Sequence, residues 1–549
     1  MSSAVMSQLD SKLVDNLVRL ISHDGDFTSA FYFDPSKEKC TLEETLSTVI
    51  GTLPAIIWRS EVPVILNRFV GDDLLVLACL SEMRWKDLLS SVSKSLRFRR
   101  QARIMIELKA DIEESLINEV LRFCLSQDMI NVNAIFPNFT KTKTIYGFEA
   151  YPEFKMTTHF FSGDTKITTL YPDKMMNLHG GRIRTMPDYS EPNTLLYVDK
   201  EGHRHILGYL WDMMEAYAQK CNATLKVVNK YADGRTLNYV EILDVAQAGV
   251  VDVSASIQPM SMTEVDIHQF SYPADLASWC TMLPVQRDLN VSEILTRVAP
   301  NTTFSFIVTL WIIYQILKGR WRFHQRLKKI GWLFLVVLVS ANYLSRLLTF
   351  LAAPPALPPL HSLQDLIDSP VRILSIRNEY KIMEFTQRTR YSAAFRLIDK
   401  ATILISTRNS LNTSFGYTTT STKWKLFEEH QKRSSRPLFH YSKDICFFEM
   451  VLFGLSIPEN SPHRDPLKDF IMQLWQSGLF NFWVSKGFSY MVKAGRIDIK
   501  DLRLRHRAHA LTIADLRHVL LIYCIGMLIS FVLFTFELIV SWVKSWLGF

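Results

Sequence analysis

Few residues in this chain of 549 have types and spacings that could do chemistry. The seven cysteines, Cys40, Cys79, Cys124, Cys221, Cys280, Cys446 and Cys524, form no CxxC pair and no zinc-ligand spacing. A disulfide among Cys221, Cys280 and Cys446 is open if that region is extracellular, but spacing does not give connectivity. His203 and His205 stand at alternate positions, and alternate residues of a strand face one side. With no third ligand nearby in sequence, the pair reads as a solvated hairpin, and neither metal nor cofactor is expected. There is no nucleophile elbow, HExxH, P-loop or paired His/Cys cluster, so the chain does not read as an enzyme. Net charge is +8, but the basic residues are spread along the chain, which argues against nucleic acid as a partner.

The other chemically pointed residues lie inside apolar runs. GWLFLVVLVSANYLSRLLTFLAAPP (331–355) opens with 21 mostly apolar residues, Gly331 to Leu351. That is enough to cross a hydrocarbon core of about 30 Å at about 1.5 Å per residue. Ser340, Asn342, Ser345 and Arg346 interrupt its second half. Arg346 either snorkels to the nearer interface or marks a polar path along the helix. FSFIVTLWIIYQIL (304–317) is the core of a first span, 298–317, and Leu516 to Val543 is a third, carrying Glu537. Between the first two spans, 318–330 contains Lys318, Arg320, Arg322, Arg326, Lys328 and Lys329. A short loop this basic is cytoplasmic by the positive-inside rule. The basic flank before the last span, Lys493 to Arg517, runs against that rule on the expected outer side.

Five N-x-[ST] triplets begin at Asn138, Asn222, Asn290, Asn301 and Asn412, all before the first span or between the second and third. With three spans those regions share one side of the membrane, and glycosylation puts that side outside the cell. Met1 to Asn16 has no basic start followed by an apolar run, so the expectation is an incomplete start rather than an internal signal in the first span.

The elements that carry these residues alternate. In 1–160, LLVLACL, RIMIEL and INVNAIFP read as strands, separated by the helical WKDLLSSVSKSL and SLINEVLRFCLSQ. That is the pattern of βαβ units on a parallel sheet. No glycine-rich phosphate loop follows these strands, so nucleotide binding has no support. In 165–297, LLYVDKEGHRHILGYL reads as a hairpin turning at Gly202. LWDMMEAYAQKC follows as a helix, LKVVN as a strand, and NYVEILDVAQAGVVDVSASIQP as a helix stopped by Gly249 before a strand. After the 331–352 span, PPALPP (354–359) is a stiff linker and 360–512 is again α/β. There LQDLIDS reads as a helix, VRILSI as a strand, and LKDFIMQLWQSGLFNFWVSK as one helix with a glycine near its middle. The fold class expected is thus a multidomain membrane protein: a small N-terminal α/β domain, a two-lobed α/β clamshell interrupted by a membrane hairpin, and a third transmembrane helix at 516–543.

This order of parts resembles the ionotropic glutamate receptor family, specifically the divergent insect chemosensory ionotropic receptors. ILGYLWDMMEAYAQKCNATLKVV (206–228) is similar to the family's GY-x-x-DLL helix. YVEILDVAQAGVVDVSASIQPMSMTEVDIHQFSYP (239–273) is similar to its W-x-x-M…G-x-x-D…D-F-S-x-P segment. SANYLSRLLTFL (340–351) falls where the family has its SYTANLAAFL gate helix. GLSIPENSPHRDPLKDFIMQLWQSGLFNFW (454–483) resembles its second-lobe YGIATPKGSPLR run, and PDKMMNLHGGRIRTMPDY (172–189) has the look of the insect branch.

The resemblance covers roughly 170–545. It implies a ligand-tuning subunit of a heteromeric cation channel in taste or smell, with co-receptor subunits of the same family in a heterotetramer. It further implies a multi-pass place in the plasma membrane of a sensory neuron, with lipid around the spans. The gate would be Ala341, Asn342, Leu344, Arg346 and Thr349. The family's ligand-anchoring arginine corresponds here to Glu264, and its second-lobe acid to Thr420, beside Ser421. An acid in place of the anchoring cation implies a small-molecule ligand other than an ordinary α-amino acid. The family also carries a re-entrant pore helix between its first two spans, for which 318–330 has no room. The alternative reading is therefore a non-conducting, membrane-tethered binding protein.

Overall fold

The computed structural model describes Leu17, Ile21, and residues 27–498 and 517–546 apart from 37–39, 44–52, 67–68, 72, 162–168, 229–238, 261–266, 290–292, 295–308, 310, 313–324 and 435. The 298–317 span therefore falls almost wholly outside the described residues, as does 318–324 of the expected basic loop, whereas 325–330 of that loop are already helical and belong to the membrane-length helix that follows.

The N-terminal domain is built on one sheet of seven strands: β1 (Ser29–Phe33), β2 (Ala55–Trp58), β3 (Leu74–Ser81), β4 (Arg103–Lys109), β5 (Val132–Ile135), β6 (Thr144–Glu149) and β7 (Lys155–Phe160). They lie in the order β2-β1-β3-β4-β5-β6-β7. The first five are parallel, and β6 and β7 continue antiparallel. β3 is buried at all but its last residue, as expected for a strand with helices on both faces. The helices Trp85–Ser95 and Glu114–Ser126 supply the crossovers. Cys40 and Cys79 are disulfide-bonded across β3, a pairing that spacing did not indicate.

Two long strands organise the rest. β13 (Asp275–Pro284) and β17 (Phe439–Leu455) run antiparallel side by side. At one end, Ile257–Pro259 (β12) joins β17 beside Asp275. At the other, Phe415–Thr420 (β16) joins β13 and leads on to Arg372–Ile376 (β14) and Phe395–Ile398 (β15). The pair thus passes from one α/β lobe into another. Cys280 and Cys446 are disulfide-bonded across it, and Cys221 is left as a buried thiol.

The first lobe contains the hairpin β9 (Leu195–Val198) and β10 (Arg204–Leu207), the parallel pair β8 (Arg182–Thr185) and β11 (Thr224–Val227), and the helices Tyr209–Lys220 and Tyr239–Gln247. Gly202 turns the hairpin and Gly249 follows the second helix, both with positive φ, as the sequence pattern requires. The expected 360–512 lobe follows the packing only in part. After β17 the chain first returns to the first lobe, where Tyr217 meets Phe470 and hydrogen-bonds His463 and Tyr209 meets Phe480. It then reaches the second, where Phe488 meets His430 and Met491 and Ile497 join the core of Leu374, Tyr417 and Phe427. The single helix expected over 467–486 is two, Arg464–Ser477 and Leu479–Lys493, because Gly478 takes a left-handed conformation.

The N-terminal domain and first lobe share one apolar core, running from Val92, Leu96 and Met129 to Met175, Leu178 and Met213. Arg97 pairs with Glu459 at 2.5 Å, and the Phe98 N–H donates to Asn460.

Among the described residues, two helices are long and apolar enough to cross a membrane, over Lys329–Phe350 and Tyr523–Val543. They belong to the helices Gln325–Ala352 and Arg517–Trp546. Neither apolar window is buried against protein, so water would face a full turn-after-turn surface of Leu, Val and Phe. At about 25 cal/mol per Å² such a surface demands a lipid or protein cover.

Candidate functional site

Where β13 and β17 pass between the lobes, a cavity of about 110 Å³ opens. The first lobe contributes Asp188, Ser190, Asn193, Ile257, Pro259 and Asp275, and the second Trp279, Glu379, Ile382, Thr420 and Lys423, with Phe453 from β17.

The loop 186–194 is fixed from below. Gly208, at φ +128°, has no room for a side chain: a Cβ there would meet the Asn193 carbonyl and, at 2.9 Å, the Pro192 oxygen. Tyr209 then donates to Asn193 Oδ1 at 2.8 Å, and the Leu210 N–H donates to the Asn193 carbonyl at 3.1 Å. The Gly-Tyr pair that opens this helix is thus the support of the cavity loop.

Asp188 is buried and fully engaged. It accepts from the Ser190 N–H at 2.9 Å, Thr194 Oγ1 at 2.8 Å and Ser256 Oγ at 2.9 Å. Burial raises its carboxyl above the ordinary range, and those donors work in the opposite direction. Asp275 is raised by burial and lowered in part by hydrogen bonds from Thr422 and the Leu276 N–H. Glu379, accepting from Thr418 Oγ1 at 3.0 Å, is also raised by burial.

Lys423 faces these acids. Burial, and then the charge of Arg408, pull its ammonium down to about 8 against the attraction of Asp188, Glu379 and Glu191. Its Nζ donates to Ser190 Oγ at 2.8 Å across the cavity. Two more contacts join the same loop to elements on the far side: Asn409 Nδ2 donates to Glu191 at 2.8 Å, and Arg496 pairs with Glu191 at 2.9 Å. Chemically the cavity offers three carboxylates, one weakened ammonium, the indole of Trp279 and the ring of Phe453. An arginine is absent from its described lining.

Of the residues singled out by sequence, Thr420 lines the cavity and caps the Ser421–Gln431 helix by accepting from the Lys423 N–H. Ser421 lies behind it, its Oγ accepting from the Ser278 N–H of β13 at 3.1 Å. Glu264 lies outside the described residues. Asp188, Asp275, Glu379 and Lys423 were missed. Asp188 alone carried a signal, as the acid ending the PDKMMNLHGGRIRTMPDY stretch.

Ala341, Asn342, Leu344, Arg346 and Thr349 are all exposed on the Gln325–Ala352 helix, and Thr349 Oγ1 donates back to the Ser345 carbonyl at 2.8 Å. Asn138, Asn222 and Asn412 are exposed, as glycan attachment needs, while Asn290 and Asn301 lie outside the described residues. The buried group Cys40, Cys79 and Glu107 is no metal centre, because its sulfurs are bonded to each other. The hairpin histidines have company that sequence did not supply: Asp199 lies 3.0 Å from His205 and 3.4 Å from His203, and Glu201 lies 3.6 Å from His203.

Beneath the second lobe, the exit from β13 is tied to the chain leaving the membrane helix. The Leu289 N–H donates to the Pro355 carbonyl and the Leu357 N–H to the Arg287 carbonyl, both at 3.0 Å. Leu289 and Ile294 pack with Leu347, Phe350 and Leu357 around that junction.

No protein-family model matches this chain, and no curated protein matches it.

Proposed function

We propose that this chain is the ligand-tuning subunit of a heteromeric ligand-gated cation channel, and that its ligand is a small organic amine. The observation that carries the reading is mechanical. A charged cavity lies between two lobes, and the strand leaving the far lobe is hydrogen-bonded to the segment that emerges from a membrane-length helix. Closing the lobes on a ligand pulls that junction and with it the Gln325–Ala352 helix, whose small polar residues let neighbouring copies cross closely and separate.

The ligand class follows from the lining. Three carboxylates against one lysine favour a cation, and Trp279 offers its ring face to an ammonium. A dicarboxylate such as glutamate would meet no arginine fork among the described lining residues. Two disulfides, Cys40–Cys79 and Cys280–Cys446, suit an oxidising compartment, in keeping with lobes outside the cell at the plasma membrane of a sensory neuron. Partner subunits of the same family would complete a tetramer.

The second reading, a non-conducting tethered binder, is favoured by one observation. Helix already begins at Gln325, which shortens further the connection available for a re-entrant pore segment after the first span. Ligand binding by the purified full chain tests the amine claim. Primary and quaternary amines bind and glutamate does not; glutamate binding tighter than amine binding contradicts it.

A further inference from the structure

Asp275 and Trp279 line the cavity from the same strand, β13. At about 3.3 Å per residue their backbones stand at most about 13 Å apart. The register of β13 on β17 shifts on both sides of Trp279, and a bulge beside a site re-aims the side chain it carries. The Trp279 ring is held in place: it stacks on Phe448 at 5.9 Å with 7° between the planes, and meets Phe447 at 5.5 Å. Thr420, the residue opposite it on β16, lines the cavity too.

Trp279 is only 9% exposed, and its indole N–H meets no acceptor among the described residues. Nor is that N–H sealed in the apolar core, so it opens on the cavity that the ring lines. An indole nitrogen can donate and cannot accept. Two hydroxyls add to it. Ser190 Oγ accepts from Lys423 Nζ at 2.8 Å and Thr420 Oγ1 accepts from the Lys423 N–H at 3.3 Å. Neither hydroxyl proton has an acceptor among the described residues, and both side chains line the cavity. The cavity thus holds donors that the protein leaves unmet beside the carboxylates that favour a cation.

We propose that the ligand is a hydroxylated amine, whose hydroxyl oxygen accepts from the Trp279 indole N–H while its ammonium lies among Asp188, Asp275 and Glu379. The proposal rests on the amine reading above and narrows it. A ligand that fills the cavity takes the place of water at these donors. An alkyl chain leaves them unmade, at the full cost of a buried polar group, whereas a hydroxyl oxygen answers them. A site built to hydrogen-bond an oxygen rejects the analogue without it far more strongly than an apolar pocket rejects an added hydroxyl. The ligand's own hydroxyl proton has carboxylates to meet, because Asp275 and Glu379 line the same cavity. A carboxylate on the ligand would also accept from the indole, but it would face those acids as a like charge. A neutral oxygen does not.

The test is calorimetric binding to the detergent-solubilised full chain. The probes are the straight-chain amino alcohols from ethanolamine to aminohexanol, each set against the alkylamine in which a methyl group replaces the hydroxyl. At least one amino alcohol should bind on the order of tenfold tighter than its alkylamine. Trp279→Phe keeps a ring and removes the N–H, and should abolish most of that preference. The readout is a ratio, so a general loss of affinity in the variant cancels, and thermal unfolding checks that the variant folds. The comparison in the unmodified chain stands without any variant. Alkylamines that bind as tightly as the amino alcohols at every length would overturn the proposal and leave the amine reading intact. A preference that survives Trp279→Phe unchanged would overturn the role of the indole. Binding by neither series would overturn the amine reading and this proposal with it.

Discussion

Lys423 is the residue on which the cavity's charge turns. Burial first, and Arg408 second, lower its folded value to about 8, beneath the roughly 10.4 of an unfolded lysine. Between those values the unfolded chain binds more protons, so this group makes folding stability rise with pH from about 8 upward. The same titration acts on the ligand. As pH passes 8, the cavity loses the positive charge of Lys423. Affinity for a quaternary ammonium, whose own charge does not change, should therefore rise on the order of tenfold between pH 7 and 9. Lys423→Met should raise affinity at pH 7 and flatten that profile. A profile as steep in the variant as in the parent would show that another group is responsible. Little of this was legible in sequence. A lysine two residues into a helix reads as solvated, and only the fold, by setting it against the 186–194 loop of the other lobe, makes it half-buried.

At the scale of elements, the legible parts were those whose pattern is local. The strands at 74–81 and 103–109, the hairpin turning at Gly202, the helix halted before Gly249 and the apolar helix over 331–352 follow from periodicity, a turn glycine and length. What was not legible depended on distant partners. β17 is 17 residues with a mixed burial pattern, because it serves two lobes in turn and so shows no single alternation. The return of the Arg464–Ser477 helix to the first lobe has no sequence mark either, since its apolar stripe would suit any neighbour. The Gly478 break was visible as a glycine but not as a stop. Gly208 gives the test at this scale. Gly208→Ala would press a methyl group into the backbone of Pro192 and Asn193 and force the cavity loop outward. We expect a stability loss of at least about 2 kcal/mol by chemical denaturation and a matching loss of ligand affinity. Gly202→Ala, where the added Cβ meets open space, should leave affinity intact.

Across the whole molecule, a shared core ties the N-terminal domain to the first lobe, while β13, β17 and the disulfide between Cys280 and Cys446 link that lobe to the second. Force from lobe closure then has a short route to the membrane through the paired segments 287–289 and 355–357. Leu357→Pro removes the N–H that donates to Arg287 and should uncouple the two ends, leaving amine affinity unchanged while abolishing any ligand-driven current. Loss of binding and current together would show instead that the junction supports the fold of the cavity. The most direct test of the channel account is whole-cell current, with surface labelling, from cells expressing this chain alone and beside a broadly expressed co-receptor of the same family. Amines, amino acids, salts and acids would be applied in turn. The account predicts amine-dependent cation current only in the paired cells. Glycosylated protein at the surface of every cell, with no current in any pairing, would contradict it and leave a tethered binding protein.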